Sequence, residues 1–163
     1  MYDLLVRLFP ICRSITGDGV RQTLRILQEH IPLKIVEIPS GTQAFDWTVP
    51  DEWNISDGYI LDPDGKKIVD FKLNNLHLLG YSEPVDKKLG LAELKEHLYS
   101  LPDYPEAIPY VTSYYKRRWG FCLRHKDLLK LKEGTYTVKI DSTLKPGAMS
   151  IGELVLPGER EEE

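Results

Sequence analysis

The sequence predicts an α+β fold, with N-terminal helices followed by a β-rich module of mainly antiparallel strands. Three observations carry that prediction. Val20, Leu24, Leu27 and Ile31 recur at the spacing of one helical face near the N-terminus. Asn54 to Leu61 and Lys66 to Phe71 flank Asp62-Pro63-Asp64-Gly65, a hairpin turn in which proline presets φ and glycine tolerates the closing geometry. Met149 to Leu156 then reads as a strand that runs into Pro157-Gly158, a second turn signal.

The remaining elements follow in order. Leu4, Leu5, Leu8 and Ile11 form the apolar stripe of a first helix, which Pro10 interrupts. Asp18 is the expected N-cap of the second helix, and Pro32 ends it. Leu33 to Ile38 alternates like a strand, and Pro39-Ser40-Gly41 turns the chain. Ala44 to Val49 reads as another strand, with Trp47 and Trp53 bracketing a turn. Leu91 to Leu98 is a short amphipathic helix, and Tyr104 to Tyr115 is strand-rich but broken by Pro105 and Pro109. Asp127 to Leu131 reads as a helical turn before a strand over Thr135 to Ile140.

A chain of 163 residues suffices for one good core, or for one domain with an insertion. A net charge of −4 gives no general attraction to nucleic acid or to an anionic membrane. No apolar run approaches the roughly 20 residues that span a bilayer. Met1 to Arg7 lacks the basic start and long apolar run of a signal peptide, so the expected compartment is the cytoplasm. Cys12 and Cys122 are then expected as free thiols.

Candidate catalytic groups are sparse. His30, His77, His97 and His125 form no short metal-binding spacing, and neither Ser14 nor Thr16 has a histidine close in sequence to activate it. Gly17-Asp18-Gly19 resembles an anion-binding helix start but lacks the preceding strand and the lysine of a phosphate loop, which favours a turn with an N-cap. Asp62 and Asp64 lack the rest of a calcium loop. The expectation is no catalytic residue, metal ligand or cofactor within this chain.

Recognition is better represented. Tyr114-Tyr115-Lys116-Arg117-Arg118-Trp119-Gly120-Phe121-Cys122 sets aromatic rings beside three cations. If Tyr110 to Lys116 is a strand, Tyr114 and Tyr115 face opposite sides, one in the core and one at a groove or interface. Arg117 or Arg118 would then offer a fork to a carboxylate or stack on Trp119. A solvated basic edge beside a core Trp119 and Phe121 fits the same residues. Trp47, Tyr115, Arg118 and Trp119 are the candidate substrate-binding residues.

Three motifs together, Leu8 to Gly17, Phe45 to Pro50 and Tyr115 to Cys122, resemble aminopeptidase-like proteins often labelled polysaccharide-biosynthesis proteins. Ile151-Gly152-Glu153-Leu154 with Pro157-Gly158-Glu159 resembles the hairpin that leads into the core of co-catalytic zinc aminopeptidases. The resemblance implies helices and a first strand of a peptidase-like fold over 1–40. It further implies an inserted β-rich module of unknown function over 41–145, and a hairpin re-entering the peptidase sheet over 146–163. In that family the metal ligands and general base lie downstream, so Glu161 to Glu163 should not be taken for the catalytic acid. The implied function is the non-catalytic N-terminal portion of a zinc-dependent aminopeptidase, with zinc expected in the full-length parent and the module shaping its cleft. Implied partners are the rest of the peptidase domain and a peptide or amino-sugar-type small substrate, with room for a homo-oligomer and no role for nucleic acid or membrane. The alternative is a stand-alone recognition module for sugar or acidic ligands.

Overall fold

Two helices open the chain in the computed structural model, which describes residues 1–158. The first, α1 (Tyr2–Leu8), buries none of its residues. Tyr2, Leu5 and Val6 on it, and Phe9 just after it, are exposed apolar groups. The second, α2 (Asp18–Gln28), is capped by Gly17 and not by the expected Asp18, which is the first helical residue. The reason is steric. Gly17 has φ +90°, and a Cβ there would stand 2.1 Å from the Trp53 carbonyl oxygen. The Asp18 N–H instead donates to Asn54 Oδ1 at 2.7 Å, which satisfies an amide at the open helix end.

The first strand, β1 (Lys34–Pro39), matches the alternation in its sequence. Ala44 to Val49, expected as one strand, is instead a small hairpin of β2 (Gln43–Ala44) and β3 (Trp47–Thr48). It turns at Phe45, which has φ +55° and is fully exposed. Trp47 and Trp53 do not bracket a common turn either. Trp47 sits half-buried on β3, while Trp53 is buried in β4 (Glu52–Leu61).

The Asp62-to-Gly65 hairpin is present as expected. Gly65 takes φ +81°, and Asp62 Oδ1 accepts from the Asp64 and Lys66 amides at 3.0 and 2.8 Å. The turn returns the chain along β5 (Lys67–Asp70). A single 3₁₀ turn at Asn75–His77 and β6 (Val85–Gly90) come next. The expected helix over Leu91 to Leu98 is shortened to α3 (Leu91–Lys95), because Leu98 leaves to start β7 (Leu98–Tyr99).

Tyr104 to Tyr115 contains no strand, contrary to expectation. Pro105 and Pro109 remove two ladder donors, and the segment is stitched to its neighbours one bond at a time. Gly80 N–H donates to the Val111 carbonyl at 2.8 Å, and Ser113 N–H donates to the Gly80 carbonyl at 3.0 Å. The chain then enters β8 (Phe121–Cys122), which pairs with β7 in parallel. The late helical turn, α4 (His125–Leu128), lies slightly earlier than predicted.

The expected strand over Thr135 to Ile140 extends to Lys145 as β9 (Thr135–Lys145). It is the centre of the fold. One antiparallel sheet runs β5-β4-β9-β6, and Tyr136, Val138, Ile140 and Ser142 alternate inward along β9. Trp53, Ile60, Val69, Leu89, Leu94 and Phe121 complete the core against them.

The last strand, β10 (Ala148–Glu153), is not left without a partner. It pairs antiparallel with β1, from Pro39 opposite Ala148 to Lys34 opposite Glu153. α2 lies on this ribbon, with Leu24 packed so closely over Gly152 that a Cβ there would meet Leu24 Cδ2 at 2.8 Å. The expectations for Glu159 to Glu163 fall outside the described residues.

Candidate functional site

Where the N-terminal loop meets β4, aromatic rings form a ladder from core to surface. Trp53 stacks on Tyr81 with ring centroids 5.6 Å apart and an interplanar angle of 18°. Tyr81 meets Tyr114 edge-on at 5.8 Å, and Tyr114 meets Tyr115 at 4.7 Å. Tyr115 is the exposed rung, and Tyr114 packs against the core. The expected division of the two rings therefore holds, but a turn produces it and not a strand.

Thr16 locks the ladder at its inner end. Its hydroxyl lies 2.5 Å from Tyr81 Oη and accepts the Trp53 N–H at 3.0 Å. Trp53 Nε1–H donates to the Ser82 carbonyl at 3.0 Å. Tyr81 holds φ +64°, a left-handed backbone rare for an aromatic residue, and burial of its ring and this hydroxyl pair hold it there. Burial also raises the Tyr81 phenol above its ordinary pKa. Tyr81 lies in no sequence motif, and no local signal would have singled it out.

Two cavities adjoin the ladder. One, of about 500 Å³, is lined by Phe9, Arg13, Trp53, Tyr110, Thr112 and Tyr114 among others. The second, of about 580 Å³, is lined by Thr16, Asp18, Gln22, Trp53, Asn54 and Asp141 among others. Ile11, Cys12, Ser14 and Trp53 are common to both, which makes the Leu8-to-Gly17 motif a shared wall. Arg13 donates to the Leu8 carbonyl at 2.7 Å and makes no ion pair among the described residues. Burial pushes the Cys12 thiol up to about 11, so it is no ready nucleophile at neutral pH.

The four residues expected to bind substrate meet different neighbours, and Trp47 is half-buried on β3. Trp119 is buried, its ring stacked on His97 at 3.6 Å. Arg118 lies over the Tyr99 ring at 5.7 Å, not over Trp119, and donates to the Thr112 carbonyl at 3.1 Å. Arg117 is held by Asp51 at 3.1 Å and Glu83 at 3.7 Å. None of Trp47, Tyr115, Arg118 and Trp119 lines either cavity at the ladder. Among the described residues no group of three or more His, Cys, Asp and Glu side chains is placed to hold a metal ion. The donor set here does not fit a zinc site.

Residues 52–143, from the start of β4 into β9, match a family model described as a domain of unknown function, DUF2172. The chain belongs to the DUF2172 family. This DUF2172 chain is also 52% identical over all 163 residues to a Clostridium acetobutylicum protein named "Putative polysaccharide biosynthesis protein with aminopeptidase-like domain". A crystal structure titled as a putative peptidase from Clostridium acetobutylicum superimposes with a TM-score of 0.92 at 52% identity, over 99% of this chain. In both comparisons the DUF2172 chain spans 38% of the relative's length. No helix among the described residues is long and apolar enough to cross a membrane.

Proposed function

We propose that this chain is the non-catalytic N-terminal portion of a zinc-dependent aminopeptidase, in which the DUF2172 module shapes the substrate cleft. The observation that carries the reading is the match of the whole chain to only 38% of a protein with an aminopeptidase-like domain. The helices with β1 and β10 belong to the peptidase-like fold over 1–40 and 146–163, and 41–145 is the insertion. The apolar face of α1, together with exposed Leu154, Val155 and Leu156, suits packing against the rest of that domain. The projecting Phe45 and the outer rung Tyr115 are placed to reach a neighbouring surface. Zinc and the hydrolytic base belong to the remainder of the parent. This chain's contribution is to bind and orient a peptide or amino-sugar-type substrate.

Purified alone, the chain should hydrolyse no aminoacyl anilide and hold no stoichiometric zinc by elemental analysis. Tight zinc binding would overturn the reading.

A second reading, a stand-alone module for sugar or acidic ligands, draws on the ladder, on Arg118 over the Tyr99 ring and on Arg13 in a cavity wall with Tyr110 and Tyr114. A glycan and peptide screen of wild type, Trp47→Ala and Arg118→Ala separates the two. If nothing binds and the substitutions only lower Tm, that reading fails.

A further inference from the structure

A further cavity, larger than the two at the ladder, is remote in sequence from the Leu8-to-Gly17 motif and plays no part in the peptidase reading. It measures about 660 Å³ and is lined by Val69, Leu123, Leu131 and Tyr136 together with His77 and Arg124, among others. That volume lies within the range of small-molecule sites, roughly 300–1,000 Å³. Val69, Leu123 and Tyr136 are themselves core residues, and Leu131 is packed against that core.

The walls are held as well. Gly134, at φ +150°, lies so close to Pro63 that a Cβ would meet Pro63 Cγ at 2.4 Å. That contact closes the Asp62 turn against the loop before β9. Tyr136 Oη donates to the Lys132 carbonyl at 2.8 Å and accepts the Lys132 N–H at 3.1 Å, which fixes the same loop.

Its polar groups are left with defined capacities. His77 Nδ1 lies 2.8 Å from the Cys122 carbonyl. A carbonyl only accepts, so Nδ1 carries the proton, and in the neutral ring Nε2 keeps its lone pair. Arg124 spends Nε on Asp127 at 2.6 Å, while its terminal nitrogens have no acceptor among the described residues. Asp127 is further occupied by Lys130 at 3.3 Å. Asp62 Oδ1 in the turn is engaged by two backbone amides. The lining is thus mixed: Val69, Leu123, Leu131 and Tyr136 supply an apolar part, Lys66, Lys132, Asp64 and Glu133 add charge, and Arg124 offers an uncommitted guanidinium edge beside the His77 acceptor.

We propose that this cavity is a binding site for a small carboxylate with a ring or aliphatic body and a hydroxyl or N–H group. The body lies against Leu123, Leu131 and Tyr136, and the carboxylate takes the terminal fork of Arg124. The donor on the ligand reaches His77 Nε2. The planar fork favours a carboxylate over a point anion.

The test is ligand-observed NMR on the chain with indole-3-acetate, 4-hydroxyphenylacetate and inorganic phosphate, followed by titration of the ¹⁵N-labelled protein. The two arylcarboxylates should bind and shift the amides of Leu123, Arg124 and Leu131. Arg124→Gln should weaken them about tenfold, as expected for loss of a charge-assisted pair. Leu131→Asn should weaken them too with Arg124 intact, which guards against a misfolded first variant; circular dichroism checks both. The proposal is overturned if neither arylcarboxylate binds, if phosphate binds as tightly at the same amides, or if the folded Arg124→Gln protein binds them unchanged.

Discussion

Arg21 on α2 grips Glu52 at the start of β4 with its two terminal guanidinium nitrogens, at 3.0 Å to Oε2 and 2.5 Å to Oε1. Glu52 also accepts from Asn54 Nδ2 at 3.0 Å and from the Ala148 N–H at 3.3 Å. One carboxylate therefore joins the N-terminal helix, the central sheet and the start of β10. Gly147 makes room for it, since a Cβ there would meet Glu52 Oε2 at 2.4 Å. Only 11% of the Glu52 side chain is exposed, so its bonds are poorly replaced by water.

Breaking that pair should be costly. Arg21→Leu strands a largely buried carboxylate and should destabilise the fold by about 3 kcal/mol, read as a lowered midpoint in urea. Replacing both residues with apolar ones of similar size should recover part of the loss.

The same group gives acid sensitivity. Bonding to Arg21 lowers the Glu52 carboxyl from 4.5 to about 2. A lowered folded-state pKa contributes stability that is fully present above about pH 4.5 and is lost as pH falls towards 2. Urea titrations from pH 6 down to pH 2 should lose about 3 kcal/mol from this group, and Glu52→Gln should flatten the dependence. An unchanged slope in Glu52→Gln would refute the assignment.

Gly17 and Gly65 separate two costs of adding a methyl group. Both have positive φ, but at Gly65 nothing lies within 4 Å, whereas at Gly17 the Trp53 carbonyl is 2.1 Å away. Gly65→Ala should cost about 1 kcal/mol for backbone strain alone. Gly17→Ala should cost about 3 kcal/mol or more, because overpacking adds to the strain. Thermal melts of the two variants check the difference.

The aromatic ladder should lose stability in proportion to depth. Trp53→Ala empties a core position and should cost about 4 kcal/mol. Tyr81→Phe keeps the stack but removes the hydroxyl bonded to Thr16, costing about 1 kcal/mol. Tyr115→Ala, at the exposed end, should stay within about 0.5 kcal/mol of wild type. A large loss at Tyr115 would show that its ring carries fold stability.

Both thiols should be slow to react. Burial pushes Cys12 and Cys122 each up to about 11, and both are free. At pH 8 a disulfide reagent should label neither quickly in the native protein and both after denaturation.

Elements whose signals are local were legible in the chain. The period of Val20 to Ile31 located α2, the Asp62-to-Gly65 turn located β4 and β5, and alternation located β1, while the strand expected over Thr135 to Ile140 is the first half of β9. Short-range rules failed wherever a residue's partner is distant. Gly17 displaced Asp18 as the cap because of Trp53 in another element, and the strand predicted near Tyr110 has its bonding partners at Gly80. Trp119 looked available in a run of cations, yet His97 covers its ring. The pairing of β1 with β10, the ladder from Trp53 to Tyr115 and the cavity at Arg124 arise only once the chain has folded. Each joins residues far apart in the chain, and no periodicity records which distant surfaces will meet when apolar area is buried.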